Sequence, residues 1–314
     1  MNLETEQLLG TLQLLIEPPL KFRLPNNHYS SFLTFVWDSE EKGELDILNL
    51  SYIEDWIQLT DIEVALKNWQ TVENKGSLDP DFDPYYLRRR NKNYAVDEVT
   101  RVKRTQKYQG ILELFCSELQ EVEVLKFSCS RIYSFCVLIG KTQSNDWICI
   151  SPTVAQETKI ENQFSLSDLP EDNSTHQLSE ANLVFQTKIE KIIAELEPLT
   201  IYGYYGGGYN YSFNYHLVLT GGTTKEKALE KALRQAGMLK IAQFHRFNFK
   251  EIFDEETEAK PRYDLLNRFF QQSFSEKKMI SCSFWNWIHI YIIGQTRTGD
   301  WLGVNVESEF DFNP

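Results

Sequence analysis

Residues 132–154 read IYSFCVLIGKTQSNDWICISPTV, and residues 286–308 read NWIHIYIIGQTRTGDWLGVNVES. With Gly140 set against Gly294, Thr142 meets Thr296, Asp146 meets Asp300 and Trp147 meets Trp301, without a gap and at a constant offset of 154. The register holds upstream as well: Ile111 and Leu112 face Leu265 and Leu266, and Phe115 faces Phe269. Self-similarity at one offset means one structural unit used twice.

The unit is readable from its residue types. Ile111, Leu112, Phe115 and Leu119, and again Leu265, Leu266, Phe269 and Phe270, sit at helical spacing. A run rich in aromatic and β-branched residues follows each, Ile132–Ile139 and Trp287–Ile293, and reads as a strand. The Gly-x-Thr-x-x-x-Asp-Trp stretch makes a hairpin loop into a second strand, Trp147–Ser151 or Trp301–Val306. Gly140, Thr142, Asp146 and Trp147, with Gly294, Thr296, Asp300 and Trp301, are expected to set turn and core. An Asp in such a loop bonds its own backbone, and a Trp at strand entry buries a large area.

Further upstream the halves agree more loosely. Glu17-Pro18-Pro19-Leu20 parallels Glu197-Pro198-Leu199, each ending an amphipathic opening helix because proline cannot continue one. A hairpin-like stretch follows each, 21–37 and 200–219. Thr223-x-x-Glu226 is a capping box for a helix through Ala228, Leu229, Ala232 and Leu233 to Gly237, and Thr60-x-x-Glu63 is a similar start. Between the halves, residues 155–180 are polar, rich in Ser, Asn, Asp and Glu, and without periodicity. The expectation is a domain over 1–158, a linker over 159–180 and a second domain over 181–314. The fold class is α/β (α+β), two tandem α/β/α sandwiches, each with a mainly antiparallel sheet.

Composition bounds the function. The 314 residues carry a net charge of −13 and are 42% hydrophobic, enough apolar material for two cores and too much for a disordered chain. The acidity argues against general nucleic-acid binding, which needs clustered positive charge, and suits a basic partner. No apolar run is long enough to span a bilayer, and MNLETEQLLG lacks the basic start of a secretory signal, so a cytoplasmic location is expected. Five cysteines without a CxxC pair argue against a disulfide or zinc framework.

Few motifs suggest chemistry. Asp79-Pro80-Asp81-Phe82-Asp83 resembles the start of a calcium loop, but Pro84 and Arg90 stand where Gly and Glu are needed. The glycine run from Gly203 to Gly208 lacks the Gly-Lys-Ser/Thr ending of a phosphate loop and opens no helix. It reads as a hairpin tip whose Tyr204, Tyr205 and Tyr209 offer a contact surface. The five histidines share no metal or catalytic spacing, and His289 reads as a ring packed in a strand. No catalytic residue, metal or cofactor is expected, so the chain is read as a non-enzyme. One basic island interrupts the acidity: Arg88, Arg89, Arg90, Lys92, Arg101, Lys103, Arg104 and Lys107. It is a solvated face, or else a phosphate-contacting patch or a clamp on an acidic partner.

The repeated segment resembles the nuclease A inhibitor-like family, which blocks a bacterial sugar-nonspecific DNA/RNA nuclease. The resemblance lies in Tyr291-Ile292-Ile293-Gly294-Gln295-Thr296 with Leu302-Gly303-Val304. It recurs in Val137-Leu138-Ile139-Gly140-Lys141-Thr142 with Ile148-Cys149-Ile150, and Phe35-Val36-Trp37-Asp38 is similar to that family's early strand. It covers 111–154 and 265–308 well. It implies a compact sandwich with helices on both sides of a mainly antiparallel sheet. It also implies a non-catalytic protein that occupies a metal-dependent nuclease's cleft with the acidic end of the last strand: Glu307, Glu309, Asp311 and the terminal carboxylate at Pro314. The family's acidic early loop is replaced here by Leu24-Pro25-Asn26-Asn27 in one half and by 204–209 in the other. The alternatives are an adaptor or scaffold that binds a different protein through the same fold, and a weak nucleic-acid binder through Arg88–Lys107.

Overall fold

The computed structural model describes residues 1–23, 29–76, 96–129, 133–154, 163–169, 179–205, 209–248, 259–284 and 287–309. Within them the first half runs α1 (Leu3–Ile16), β1 (Lys21–Arg23), β2 (Tyr29–Ser31), β3 (Leu33–Trp37), α2 (Ser39–Lys42), α3 (Ile47–Ile53) and β4 (Ile57–Thr60). It continues with α4 (Ile62–Lys75), α5 (Glu98–Glu118), β5 (Gln120–Phe127), β6 (Phe135–Lys141), β7 (Trp147–Pro152) and β8 (Phe164–Asp168). The second half runs α6 (Glu180–Ala194), β9 (Leu199–Tyr205), β10 (Tyr209–Tyr215), β11 (Leu217–Gly222), α7 (Lys225–Ala236) and β12 (Leu239–Phe247). It ends with α8 (Lys260–Ser273), β13 (Lys277–Phe284), β14 (Trp287–Gln295) and β15 (Trp301–Glu309).

The fold is mixed α/β, and every ladder among the described residues is antiparallel. The two repeated stretches take the same local form. Gly140 pairs with Ile148 and Gly294 with Leu302, in the same register. Thr142 N–H donates to the Asp146 carbonyl at 2.8 Å, and Thr296 N–H to the Asp300 carbonyl at 2.8 Å. The left-handed residue each turn requires is Asn145 (φ 67°) in one and Gly299 (φ 95°) in the other. Each unit is a helix followed by three strands, not by a hairpin alone: β5 and β13, missing from the expectation, lie between helix and hairpin.

The expected division at 159–180 needs correction. One sheet has the order β11-β7-β6-β5-β4 and the other β3-β15-β14-β13-β12-β8. Thus β3, from the first half, closes the edge of the second half's sheet against β15, and β11, from the second half, closes the first half's sheet against β7. Residues 164–168, assigned to the linker, form β8 on the far edge beside β12. A cut in that region therefore does not separate two self-contained sheets. The opening helices cross over too, with α1 packing against α8 and β15, and α6 against α5 and β11.

Side-chain alternation assigns the faces. Ile288, Ile290 and Ile292 point to an outer core beneath α1 and α8, while Trp287, Tyr291 and Ile293 point inward. In the other sheet Cys136 and Leu138 face the outer core under α4, α5 and α6, and Phe135, Val137 and Ile139 face inward. The inward faces share one core with Ile47, Leu48 and Leu50 of α3 and Ala228, Leu229, Ala232 and Leu233 of α7. The result is five layers, helix–sheet–helix–sheet–helix, with a common middle. Strands covered on both faces read as continuous apolar runs, which explains VLIG and IYIIG.

Candidate functional site

The turn residues act as joints between crossed-over segments. Thr142 Oγ1 accepts from Asp146 N–H at 3.1 Å, so the threonine closes the loop. Sequence led us to expect each carboxylate to bond its own loop; instead they reach the opening helices and, for Asp300, also α2. Asp300 accepts from Thr5 Oγ1 at 2.6 Å and Ser39 N–H at 3.0 Å; Asp146 accepts from Ser179 N–H at 3.3 Å and from Asn182 Nδ2. Trp301 is buried beneath the Lys278 ammonium, 3.9 Å from its ring centroid, whereas Trp147 is only half-buried. The capping boxes shift by one residue. Thr224, not Thr223, caps α7 through Lys227 N–H, and Asp61 precedes α4 without a side-chain cap bond.

The basic island divides. Arg88, Arg89, Arg90 and Lys92, like 79–83, lie outside the described residues. Arg104 is no surface charge: it is buried, paired with Glu73 at 2.6 Å, and donates to the Glu197 carbonyl at 2.7 Å. Arg101 pairs with Glu98 and Lys107 with Glu195, while Lys103 is exposed. Burial raises the thiols of Cys149 and Cys282 and pushes Cys136 up to about 12, so these three are inert core groups, and the thiol of the half-buried Cys129 is raised as well. Among the described residues no group of three or more His, Cys, Asp or Glu could hold a metal ion, and no helix is long and apolar enough to cross a membrane.

What the structure brings together is a polar cluster at the far end of β14 and β15, on the inward face. His289 lies across from Cys282 on one side and Glu307 on the other. Its Nδ1 is 3.1 Å from Tyr291 Oη, and its Nε2 is 3.0 Å from Asn305 Nδ2. Tyr291 also lies close enough to Glu54, at the end of α3, for each to shift the other's proton affinity. Trp56 and Trp287 wall the ring edge-on, with centroids 5.5 and 6.0 Å from it. Burial pushes the His289 imidazole down to about 3, so the ring is neutral. Desolvation, with repulsion from Glu307 and Asp55, raises the Glu54 carboxyl against the opposing pull of Tyr291 and Lys42.

Of the expected partner-binding residues, Glu307 belongs to this cluster. It is exposed, and its Oε1 accepts from Trp287 Nε1 at 2.9 Å. Glu309 lies one pair further on, across from Trp287. Asp311 and Pro314 fall outside the described residues. Tyr204, Tyr205 and Tyr209 lie on the β9–β10 ribbon, where Tyr205 pairs with Tyr209.

Glu54, Tyr291, His289 and Asn305 were not anticipated, yet the repeat held a signal. At the same offset the first half has Phe135 for His289, Val137 for Tyr291, Ser151 for Asn305 and Thr153 for Glu307. Across from Phe135 stands Phe127, stacked at 4.9 Å, where the second half has Cys282. A buried polar group costs stability unless fully bonded, and the first half shows that this position folds with Phe. Comparison of the chain with protein-family models, with curated proteins and with solved structures finds no match in any of the three.

Proposed function

We propose that this chain is a non-catalytic protein-binding protein that uses the acidic end of β15 in the second half. Its most concrete target is the cleft of a metal-dependent nonspecific nuclease. The supporting observation is the pair Glu54 and Glu307. The two carboxylates repel one another, and neither forms an ion pair with a lysine, arginine or histidine among the described residues. Trp287 holds Glu307 on a rigid strand. On a chain of net charge −13 such an end attracts a basic surface. A nuclease cleft, built for phosphate and a divalent metal, is one. In the first half the uncharged Thr153 stands where the second half has Glu307, which supports the second half as the binding half.

Titration of a metal-dependent nonspecific nuclease with the full chain tests the proposal. The expected result is loss of nuclease activity, with Glu307→Gln and Glu54→Gln each weakening inhibition about tenfold. Full nuclease activity at micromolar excess removes this target. Capture of a different basic protein by the wild type, but not by Glu307→Gln, then selects the adaptor reading. Burial of Arg104 and pairing of Arg101 and Lys107 count against nucleic-acid binding, so no shift of DNA or RNA is expected even at low salt.

A further inference from the structure

We infer that the open end of the second half's inward sheet face, between Leu33 on β3 and the end of α3, receives a basic partner segment that sets an aliphatic side chain beside a lysine or arginine. The inference deepens the function proposed above and rests on it for the partner being a protein with a basic surface.

The register places the residues in rows. Leu33, Asn305 and Tyr291 lie opposite one another across β3, β15 and β14, and Glu307 and His289 form the next row outward. The end of α3 stands over these rows. Trp56, just beyond Ile53, sets its ring 5.1 Å from Trp287, 5.5 Å from His289 and 6.2 Å from Tyr291. What stays uncovered there is apolar and acidic at once. Leu33 is 61% exposed, Ile53 45% and Tyr52 40%, and Asp55 and Glu307 are exposed at the same end.

The first half seals the corresponding place with its own chain. At the repeat offset Ser151 stands for Asn305 and Thr153 for Glu307. Ser151 is fully buried and lies opposite Val218, the half-buried counterpart of Leu33. Thr153 is buried as well. Its N–H donates to the His216 carbonyl at 2.8 Å, and its Oγ1 donates to the Asn214 carbonyl at 2.9 Å and accepts from His216 N–H at 3.0 Å. At Glu307 the β2 side supplies Ser30 Oγ–H to the backbone carbonyl at 3.4 Å, and the side chain remains exposed.

The two kinds of surface define the occupant. An aliphatic side chain laid against Leu33 and Ile53 removes apolar area from water on both partners, and a neighbouring cation pairs with Glu307 and Asp55. An uncharged segment would cover those carboxylates without pairing them, and an acidic one would meet like charge. A second copy, itself at −13, is disfavoured on the same ground.

Fluorescence anisotropy tests this with the full chain and two labelled peptides: a short leucine–lysine peptide, and one of equal length and charge with every leucine replaced by serine. The leucine peptide is expected to bind about tenfold more tightly. Glu307→Gln should weaken both peptides. Leu33→Ser and Ile53→Ser, both at exposed positions, should weaken the leucine peptide alone and erase its advantage. Leu14→Ser on α1, where the leucine is 80% exposed, should change nothing. Equal binding of the two peptides overturns the inference, and so does an advantage that survives Leu33→Ser and Ile53→Ser or is lost equally in Leu14→Ser. Self-association of the chain that Leu33→Ser abolishes would put a second copy in this place and overturn it too. The assay contains no nuclease, so a chain that shows the expected pattern yet leaves nucleases active loses only that target. An inhibitor undiminished by Leu33→Ser and Ile53→Ser defeats this surface alone.

Discussion

At Gly294 an added methyl carbon would lie 2.1 Å from Cγ of Phe274, and at Gly140 it would lie 2.8 Å from Cδ1 of Leu119. In both halves the residue at the end of the covering helix presses on the glycine where the first hairpin strand ends. Gly294→Ala should therefore cost about 1–3 kcal/mol by overpacking, read from the midpoint of urea unfolding. Gly10, inside α1 with nothing within 4 Å of a built Cβ, is the contrasting case. Gly10→Ala should add about 0.5–1 kcal/mol through helix propensity alone. His289 carries a different signature. Its folded-state pKa is depressed from 6.5 to about 3. Between those values the unfolded chain binds a proton that the folded chain refuses, so stability falls as pH falls through that window. The slope from this group approaches about 1.4 kcal/mol per pH unit and vanishes above the upper value. His289→Phe, which copies Phe135, should remove that component from a series of melts across the window. The glycines and the backbone closure of the Thr-Asp turn were readable because their partners lie within the repeat, whereas the reach of Asp146 and Asp300 to distant helices was not. Glu54, Tyr291 and His289 were not, because α3 meets β14 only after the chain has crossed between sheets.

Among the elements, the long helices and the hairpin declared themselves by period, while the short α2 and α3 and the strands β5, β8 and β13 did not. Gln120–Phe127 mixes charged and apolar residues beside a bulge between Gln120 and Glu123, and Phe164–Asp168 is a short edge strand in polar surroundings. Edge strands carry weak sequence signals because only one side of their ladder is constrained. The pairing of α4 with α5 rests on a group that sequence placed at the surface. Glu73 and Arg104 are both buried, with Tyr108 on the same carboxylate and Glu197 receiving the other guanidinium nitrogen. Glu73→Gln should cost about 3–5 kcal/mol because it strands a buried guanidinium. Replacing both partners together, with Glu73→Leu and Arg104→Met, should recover most of that loss in the same denaturant titration.

At the scale of the whole molecule, exchange of β3 and β11 removes any plane along which the halves could part. Each sheet takes an edge strand from the other half, and the middle core draws on both inward faces. Scanning calorimetry should show one transition with calorimetric and van't Hoff enthalpies equal, rather than two. Gly294→Ala should lower that whole transition instead of splitting it. Two resolved transitions would mean that the shared core contributes little to cooperativity. The repeat itself was visible in sequence. The crossing-over was not, since a strand that pairs at home and one that pairs abroad have the same composition.

The pairing of β3 with β15, with Leu33 opposite Asn305 and Trp37 opposite Trp301, also imposes an order on biogenesis. A ribosome delivers the opening helix and β3 long before it has made β15, the strand that β3 must join. Trp37 and Phe35, both buried in the finished protein, have no native sheet to cover them until β15 has been made. Pairing across so long a stretch of chain is slow and leaves apolar surface exposed in the interim. The early apolar strand must therefore wait, uncovered, for a partner that is made more than 250 residues later.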